Sequence, residues 1–462
     1  MEKAIESRLS DVRLDRVLDK ISDRIGQKQT VCLRALADTR REEVQFGRFV
    51  GNDKVSVAAL QQQLYAQLKG EGLSTHCLLI EDTTKVSFSL QRAIQGLGKV
   101  DKGLVQGFYL HPVLCIDAQY YGCLGLAALE FINRPWPDKE PSRQQRNSTR
   151  SKTAFEHKEG YRWLSSIKQA LLTCPESIMK TVVADREADI YPLLTGLAAL
   201  KVHYIIRARF DRPTDEGKPI SQIVESWPVE YQYQIAVPSS ERCSAHQAQV
   251  AVKYGKLKLK QPFGKSLQAQ PSHHPTYLVE VKELAHSAVN DQQPIHWVLL
   301  TSHIVDKLPE ALRIIEWYKQ RWNVEQVFRL LKSKGLGLES SQVDSYEKLQ
   351  KLTILALLAA VKVLQLLKAR DDQTQQAICC VLDKQEQNCL LRLNQQLQGK
   401  SGKLQNPHPI ASLAFAAWVV ARLAGWSGYK SQRPPGPIDL LNGLKRFEQI
   451  YQGYRMISDN SP

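Results

Sequence analysis

The chain has 462 residues, with 62 Lys and Arg against 47 Asp and Glu, so its formal net charge is +15. With 43% hydrophobic and 24% charged residues, the composition allows a large core and excludes a wholly disordered chain. The basic excess favours a polyanionic partner, nucleic acid first and an anionic membrane surface second.

Membrane and disulfide-rich classes are disfavoured. The apolar runs 354–361 and 410–420 are shorter than the roughly 20 residues that span a bilayer, so we expect buried helices there. The first 20 residues alternate charges and are typical of neither a signal peptide nor a membrane anchor. Nine cysteines without a Cys-x-x-Cys pair predict a reducing compartment and argue against structural zinc. We therefore expect a soluble cytoplasmic protein.

Residues 1 to about 70 are predicted to be helical. Apolar positions such as Phe46 and Phe49 recur at helical spacing among basic residues, and Ser56 is a candidate N-cap of a helix over 57–68. A small basic helical unit ahead of a larger body is common in proteins that read DNA. A plain helical scaffold with a solvated positive face fits these residues equally well.

From residue 77 the pattern changes to strands. Three runs predict an antiparallel meander, namely 77–80, 109–116 and 121–131. A helix, a strand, a second helix and a second strand follow, over 161–172, 181–184, 188–197 and 204–206. This order predicts an α/β fold, a ribonuclease-H-like mixed sheet with helices on both faces.

Residues 211–302 read as a β-rich insertion, because apolar residues alternate with period two and Gly255 suggests a turn. One long helix from about 308 to 334 is predicted next, stopped by glycines at 335 and 337. Four more helices are predicted over 346–369, 375–398, 408–424 and 438–456. The chain thus divides into a helical domain 1–71, a central domain 72–343 carrying the insertion, and a helical C-terminal domain 344–462.

Two carboxylates follow buried strands, Asp82 after CLLI and Asp185 after TVVA. Acidic side chains at the carboxyl ends of strands lie where open α/β sheets place their sites. Hard oxygen ligands from separate strands suit Mg²⁺, which fills its octahedron with water and substrate phosphate. Taken singly, each Asp is more simply explained as the cap of a following turn.

The predicted helix around Glu325 has two distinct faces. At about 100° per residue, one stripe holds Tyr318, Arg321, Trp322, Glu325, Arg329 and Lys332, and the opposite stripe is apolar. An ordinary solvated face with i,i+4 charge pairs explains this stripe. Aromatic residues among cations are also typical of surfaces that follow a phosphate backbone and stack on bases. Both interpretations stay open on this helix alone.

The three regions together resemble a known family. IEDTT around Asp82, VVADREADI around Asp185 and Tyr-x2-Arg-x3-Glu-x6-Lys from Tyr318 to Lys332 are similar to the three signatures of DDE transposases of the insertion-sequence-four family. The resemblance continues outside these motifs in GRFVGNDKVS, PIHWVLLTS and ARLAGW. It therefore covers nearly the whole chain.

The resemblance implies roles for individual residues. A metal-binding catalytic triad would consist of Asp82, Asp185 and Glu325, with Mg²⁺ as cofactor and Mn²⁺ able to substitute. Residues in contact with DNA would be Tyr318, Arg321, Lys332, Trp297, Trp322, Arg186, Arg207 and Arg329. Of these, Trp297 would act as a wedge at a flipped base, on which Trp322 would stack. The neighbouring acids Glu81, Glu187 and Asp189 are expected to support or cap the site.

The implied activity is cut-and-paste DNA transposition. Residues 1–71 would bind terminal inverted repeats, residues 344–462 would serve dimerisation, and a homodimer would pair the two DNA ends. Cleavage would proceed through a hairpin and end in strand transfer to target DNA, in the prokaryotic cytoplasm at the nucleoid. Two alternatives stay open, a catalytically silent DNA-binding regulator and a structure-specific nuclease of the same fold.

Overall fold

The N-terminal part of the chain is helical. The structure is a computed structural model that describes residues 8–9, 11–66, 68, 75–101, 105–136, 153–237, 245–263, 267, 269–287, 294–332, 335–370, 374–429 and 432–458. Its first helices are α1 (Val12–Lys28), α2 (Leu33–Leu36), α3 (Arg40–Val50) and α4 (Val57–Tyr65). The predicted cap is confirmed, because the Ser56 hydroxyl accepts a hydrogen bond from the amide of Ala59 at 3.1 Å.

Eleven described strands form one sheet. They are β1 (His76–Glu81), β2 (Thr84–Phe88), β3 (Lys99–Val100), β4 (Val105–Asp117), β5 (Cys123–Ile132), β6 (Met179–Ala184), β7 (His203–Arg207), β8 (Tyr231–Val237), β9 (His246–Lys260), β10 (His273–Glu283) and β11 (His296–Thr301). The order is β2-β4-β1-β6-β7-β11-β10-β9-β8, with β3 and β5 also paired to β4. The sheet is therefore mixed, as expected.

The central strands run in the order β5-β4-β1-β6-β7. Antiparallel pairs join β5 to β4 and β4 to β1, whereas β1, β6 and β7 are parallel neighbours. The predicted meander corresponds to β1, β4 and β5. The sequence interpretation missed β2 and β3, which add short antiparallel pairings to the first half of β4.

Helices cover both faces of this sheet. Successive side chains of β1 point to opposite faces and are apolar on both, so each face needs a covering layer. Leu78 and Ile80 belong to one core with α8 (Leu308–Lys319), α9 (Trp322–Leu331) and α10 (Tyr346–Ala369). Cys77 and Leu79 belong to the other core, with α5 (Arg162–Thr173) and α6 (Tyr191–Ala199). Both faces of β1 are thus buried, which explains its continuous apolar run.

The β insertion continues the same sheet. It contains the short helix α7 (Ile220–Glu225) and strands β8 to β11, and β11 pairs antiparallel with β7 through Leu300 and Ile206. The predicted turn at Gly255 is wrong, because Gly255 lies inside β9 opposite Leu278. A β-carbon there would lie 2.7 Å from the indole of Trp227, so close packing rather than a turn requires glycine.

The predicted single helix over 308–334 is also wrong, since the chain forms α8 and α9 with a break at residues 320 and 321. Hydrogen bonds of the 3₁₀ type cross the break, from the Arg321 amide to the Tyr318 carbonyl and from the Val324 amide to the Arg321 carbonyl. The Asn323 side chain donates to the Gln320 carbonyl at 2.7 Å, which takes that acceptor from the helical ladder.

The C-terminal part continues with α11 (Lys384–Leu397), α12 (Leu413–Leu423) and α13 (Pro437–Ser458). Helix α1 packs against both α10 and α13, so the first and last helices share one core. Of the described helices, α10 alone is long and apolar enough to cross a membrane, and 72% of its apolar window is buried inside the protein.

Candidate active site

Strand register brings the two aspartates side by side. Strands β1 and β6 pair in parallel from His76 with Met179 to Ile80 with Val183, so Asp82 and Asp185 occupy the same level beyond the last pairs. Neighbouring strands lie about 4.8 Å apart. Each aspartate also makes the cap bond expected of it, to the Thr83 amide at 2.7 Å and to the Glu187 amide at 2.8 Å.

The break between β1 and β2 exposes Asp82 to the site. Glu81 pairs with Val113 and Thr84 with Leu110, so the same register continues past the break. Asp82 therefore lies opposite Pro112, which has no amide hydrogen to offer the ladder. At this interruption of the ladder, the Asp82 side chain contacts the Arg321 guanidinium.

Glu325 of α9 is joined to Asp82 through an arginine. The Arg321 guanidinium donates to Asp82 Oδ2 at 3.1 Å and to Glu325 Oε1 at 2.5 Å. The Asp82 and Arg321 side chains are each 17% exposed, and that of Glu325 is 34% exposed. The α8–α9 break sets this geometry, because it turns Arg321 off the helix ladder toward the sheet. The i,i+4 pair expected from the sequence is thus present, but it faces the site rather than open solvent.

The three carboxylates influence one another electrostatically. The pKa of Asp82 is raised to about 7, by burial first and by the Asp185 charge second, against the lowering effect of Arg321 and the Thr83 amide. The charge of Glu325 adds a smaller upward contribution. Like charges held this close are costly unless a cation joins them. In this structure the cation is Arg321.

The donor set fits a hard divalent cation. Carboxylate oxygens from two strand ends and one helix are the ligand type that Mg²⁺ takes in proteins. Within the described part of the chain, these three acids do not form a group whose ligand atoms all lie within 4.8 Å of one another. Arg321 occupies the space between Asp82 and Glu325, so metal binding requires the guanidinium to leave these oxygens.

A buried polar network of Glu81, Thr83, His111 and Arg162 supports the turn at Asp82. The Thr83 hydroxyl lies 2.9 Å from His111 Nδ1, and His111 Nε2 lies 3.0 Å from Glu81 Oε2. Burial lowers the pKa of His111 to about 3 and raises that of Glu81 well above its usual range. Arg162 donates to the Thr83 hydroxyl at 3.2 Å. The sequence analysis missed Thr83 and His111, since only their contact across the sheet gives them a role.

The other acids near the motifs turn away from the carboxylate site. Asp189 is buried and accepts hydrogen bonds from the amides of Arg209 and Phe210 and from the Arg212 side chain, so it holds the segment after β7 and not the carboxylate site. Glu187 forms a salt bridge with Arg162 at 3.0 Å.

The structure sorts the predicted DNA-contacting residues into exposed and covered groups. Trp322 is 60% exposed, and Arg186 and Arg329 are exposed as well. Tyr318 is only 5% exposed, so the prediction of an exposed tyrosine is wrong. Its ring packs edge-on against Trp297 at 5.4 Å between centroids. Lys332 lies past the end of α9 with extended backbone, so it does not continue the helical stripe.

Arg207 lies between the strand of Trp297 and the Tyr318 hydroxyl. It donates to the carbonyl oxygen of His296, the residue before Trp297, at 2.6 Å. Burial raises the pKa of Tyr318, Arg321 and Arg207 lower it, and the Asp185 charge raises it. The Tyr318 hydroxyl therefore lies near two arginines and the Asp185 carboxylate.

A large cleft opens beside Asp185. Its volume is about 1020 Å³, and it extends from Arg186 along the insertion, past β9 and β10. Basic residues on its wall are Arg186, Arg209, Lys253, Lys282 and His296, and acidic ones are Asp211, Glu225, Glu280 and Glu283. The sequence analysis did not single out Arg209, Lys253 or Lys282.

Comparison with known proteins covers the centre of the chain. Residues 156–362 match a family described as the transposase DDE domain. This segment is somewhat less than half of the chain, and it contains Asp185 and Glu325 but not Asp82. Among solved structures, the chain is similar to the piggyBac transposase in a cryo-EM synaptic complex with hairpin DNA, at 9% identity and a TM-score of 0.37, over 100% of this chain and 76% of that chain. Strands β6 and β7, the insertion and α9 therefore lie in a segment that is similar to transposase DDE domains.

Proposed function

We propose that this protein is a cut-and-paste DNA transposase whose catalytic acids are Asp82, Asp185 and Glu325. The observation that carries the proposal is the register match of Asp82 and Asp185 at neighbouring strand ends, with Glu325 joined to Asp82 through Arg321. The order β5-β4-β1-β6-β7 supports a ribonuclease-H-like sheet. The three spaced motifs support membership of the insertion-sequence-four family.

The acids would hold Mg²⁺, with Mn²⁺ able to substitute. When bound, two such ions activate water and stabilise a leaving 3′ oxygen. The chain itself binds and orients the scissile phosphate. Arg321, released from Asp82 and Glu325, joins Tyr318 and Arg207 as a donor to phosphate oxygens. The same guanidinium thus neutralises the acids before substrate binds and the phosphate afterwards.

Aromatic residues at the site suit a hairpin intermediate. A tight hairpin forces a base out of the stack at a cost of a few kcal/mol, which stacking on an indole offsets. Exposed Trp322 supplies a free platform, and Trp297 is held against Tyr318. Four cations on the wall of the cleft beside Asp185 would contact the phosphates of DNA leading to these rings, although four acids share that wall.

We further propose that residues 1–71 bind the terminal inverted repeats and that a homodimer pairs the two ends. The protein would act at the bacterial nucleoid. The net charge of +15 supports a DNA partner.

Donor DNA tests the central proposal. A plasmid would carry a marker between the two sequences that flank the gene, and purified protein would be added with Mg²⁺. We expect release of the marker fragment with hairpin ends by the wild type. Glu325→Gln and Asp185→Asn should release at least a hundredfold less. Glu316→Gln, an exposed acid on α8, is the matched control and should retain activity.

The same assay separates the alternatives. A silent DNA-binding regulator would shift the donor DNA in a gel but leave it uncut, even in Mn²⁺. A structure-specific nuclease would cut branched DNA and yield no donor joined to target. Wild-type cleavage by Glu325→Gln would contradict the assigned triad.

Trp297→Ala addresses the hairpin step. We expect nicked ends to accumulate while hairpin yield falls at least tenfold, since the displaced base loses its wedge. Denaturing gels of labelled ends measure both products. Trp136→Ala, at another partly exposed tryptophan, is the control, and an unchanged ratio of hairpins to nicks in Trp297→Ala would remove the wedge role.

A further inference from the structure

Three thiols converge on the side of the sheet covered by α5 and α6. The Sγ atoms of Cys77, Cys115 and Cys174 all lie within 4.8 Å of one another, and all three residues are buried. Cys77 and Asp82 are five residues apart along extended chain, which places the sulfurs about 16 Å from the carboxylate site. The cluster therefore belongs to no part of the proposed DNA site.

Separate elements hold the three sulfurs. Cys77 lies in β1 and Cys115 in the neighbouring strand β4, diagonally across the ladder on the same face. Cys174 ends α5, and its amide donates to the Ala170 carbonyl at 2.9 Å. The chain directly after Cys174 is exposed and is held by Lys180, whose ammonium donates to carbonyls in that loop. The site thus has rigid walls and one side near solvent.

The three thiols differ in acidity, because their mutual hydrogen bonds and burial raise the pKa of Cys77 and Cys115, whereas the pKa of Cys174 is lowered. The S–H groups of Cys115 and Cys77 lower the pKa of the Cys174 thiol, and the Lys180 ammonium lowers it further, against the opposing effect of burial. Thiolate is the form of cysteine that binds metals. A sulfur–sulfur separation of up to 4.8 Å is also close to what one ion needs. Three sulfurs about 2.3 Å from a metal in one plane lie about 4.0 Å apart.

We propose that Cys77, Cys115 and Cys174 form a binding site for one soft monovalent metal ion, Cu⁺. Thiolate sulfur selects soft ions over Mg²⁺ and Ca²⁺. The choice of Cu⁺ over Zn²⁺ rests on ligand number. Structural zinc takes four ligands, whereas no fourth His, Cys, Asp or Glu joins this group within the part of the chain that the structure describes. Each thiol that binds as thiolate releases its proton to solvent.

The alternative is that these are ordinary core cysteines that bind no metal, since free cysteine is among the most buried residue types. Cys123 and Cys389 show that pattern, because each is buried without belonging to such a group. Convergence of three thiols from β1, β4 and the end of α5 distinguishes the cluster from them. The sequence offered no Cys-x-x-Cys signal, because the three residues meet only in the folded sheet.

Anaerobic copper transfer tests the site. Reduced apoprotein would be titrated with Cu⁺ delivered as its bathocuproine disulfonate complex. We expect one Cu⁺ per chain and a near-ultraviolet sulfur-to-copper absorption band. Cys174→Ser should weaken binding at least a hundredfold, and the control Cys123→Ser should bind like the wild type. Far-ultraviolet circular dichroism verifies that each variant is folded.

X-ray absorption on the wild-type copper complex needs no variant. We expect a first shell made of sulfur atoms alone. A shell containing nitrogen or oxygen, no copper transfer, tighter binding of Zn²⁺ than of Cu⁺, or unchanged affinity in folded Cys174→Ser would each overturn the proposal. None of these outcomes depends on DNA cleavage.

Discussion

Among single residues, Asp82 combines function with a cost in stability. Its pKa of about 7 in the folded state lies above the ordinary value of 3.8. Between pH 4 and pH 7 Asp82 is therefore ionised in the unfolded chain but still protonated in the folded one, so the free energy of unfolding falls as pH rises. Below pH 4 both states hold the proton and no penalty exists, and the penalty is complete above pH 7. We expect Asp82→Asn to raise the free energy of unfolding by about 1–3 kcal/mol at pH 8, with little change at pH 4.

Thermal or urea unfolding at the two pH values, without divalent metal, measures this effect. Asp53→Asn, at an exposed aspartate between α3 and α4, should change stability by less than about 0.5 kcal/mol at either pH. A variant Asp82→Asn that is less stable than the wild type at pH 8 would mean that the carboxylate, as ionised, stabilises the fold.

Arg321 is the second residue with a double role. Because its guanidinium bridges Asp82 and Glu325, Arg321→Gln leaves two carboxylates facing each other. Without metal, we expect the free energy of unfolding to fall by about 1–3 kcal/mol. Millimolar Mg²⁺ should then raise the melting temperature more in this variant than in the wild type, since the ion displaces no guanidinium.

Differential scanning calorimetry with and without Mg²⁺ checks both effects. Arg313→Gln, at an exposed arginine on α8, should respond to Mg²⁺ like the wild type. A smaller Mg²⁺ effect in Arg321→Gln would show that the arginine helps to form the metal site rather than competing for its oxygens.

At the scale of elements, local signals explain what the sequence could predict. Asp82 and Asp185 each follow an apolar run, so their position at strand ends is visible without tertiary contacts. The break between α8 and α9 is not visible, because no Gly or Pro marks it. It depends on Asn323 taking a carbonyl and on Arg321 reaching a strand 239 positions away in the chain. The exposure of Tyr318 was predicted wrongly for a similar reason, because its ring packs against Trp297, which is distant in sequence.

Helix α13 offers a paired test of packing against propensity. A β-carbon at Gly443 would lie 2.0 Å from the Val420 carbonyl oxygen of α12, whereas nothing lies within 4 Å at Gly453. Gly453→Ala should therefore stabilise the protein by about 0.5–1 kcal/mol through helix propensity. Gly443→Ala should destabilise it by about 1–3 kcal/mol through overpacking. Urea unfolding measures both, and equal effects would show that α12 and α13 are not this tightly packed.

At the scale of the whole molecule, the two ends of the chain depend on each other. Ile21 and Ile25 of α1 are fully buried in the core that contains α10 and α13. Lys362 of α10 lies beneath this contact and pairs with Glu386 at 2.8 Å and with Glu448 at 3.5 Å. The first helices are thus packed into the C-terminal bundle.

Lys362→Met tests whether α1 and α13 depend on each other for stability. The pKa of Glu448 is about 7 because burial raises it more than Lys362 lowers it. Removal of the lysine leaves Glu448 and Glu386 repelling each other once both are ionised. A raised carboxyl pKa makes stability fall as pH rises. We therefore expect Lys362→Met to lower the free energy of unfolding by about 3 kcal/mol at pH 8 and by less than about 1 kcal/mol at pH 5.

The control is Lys319→Met, which removes a surface pair with Glu316 and should lower the free energy of unfolding by less than about 1 kcal/mol at both pH values. Hydrogen exchange should show α1 and α13 losing protection together at pH 8, and loss in α13 alone would mean that the two ends of the chain unfold independently.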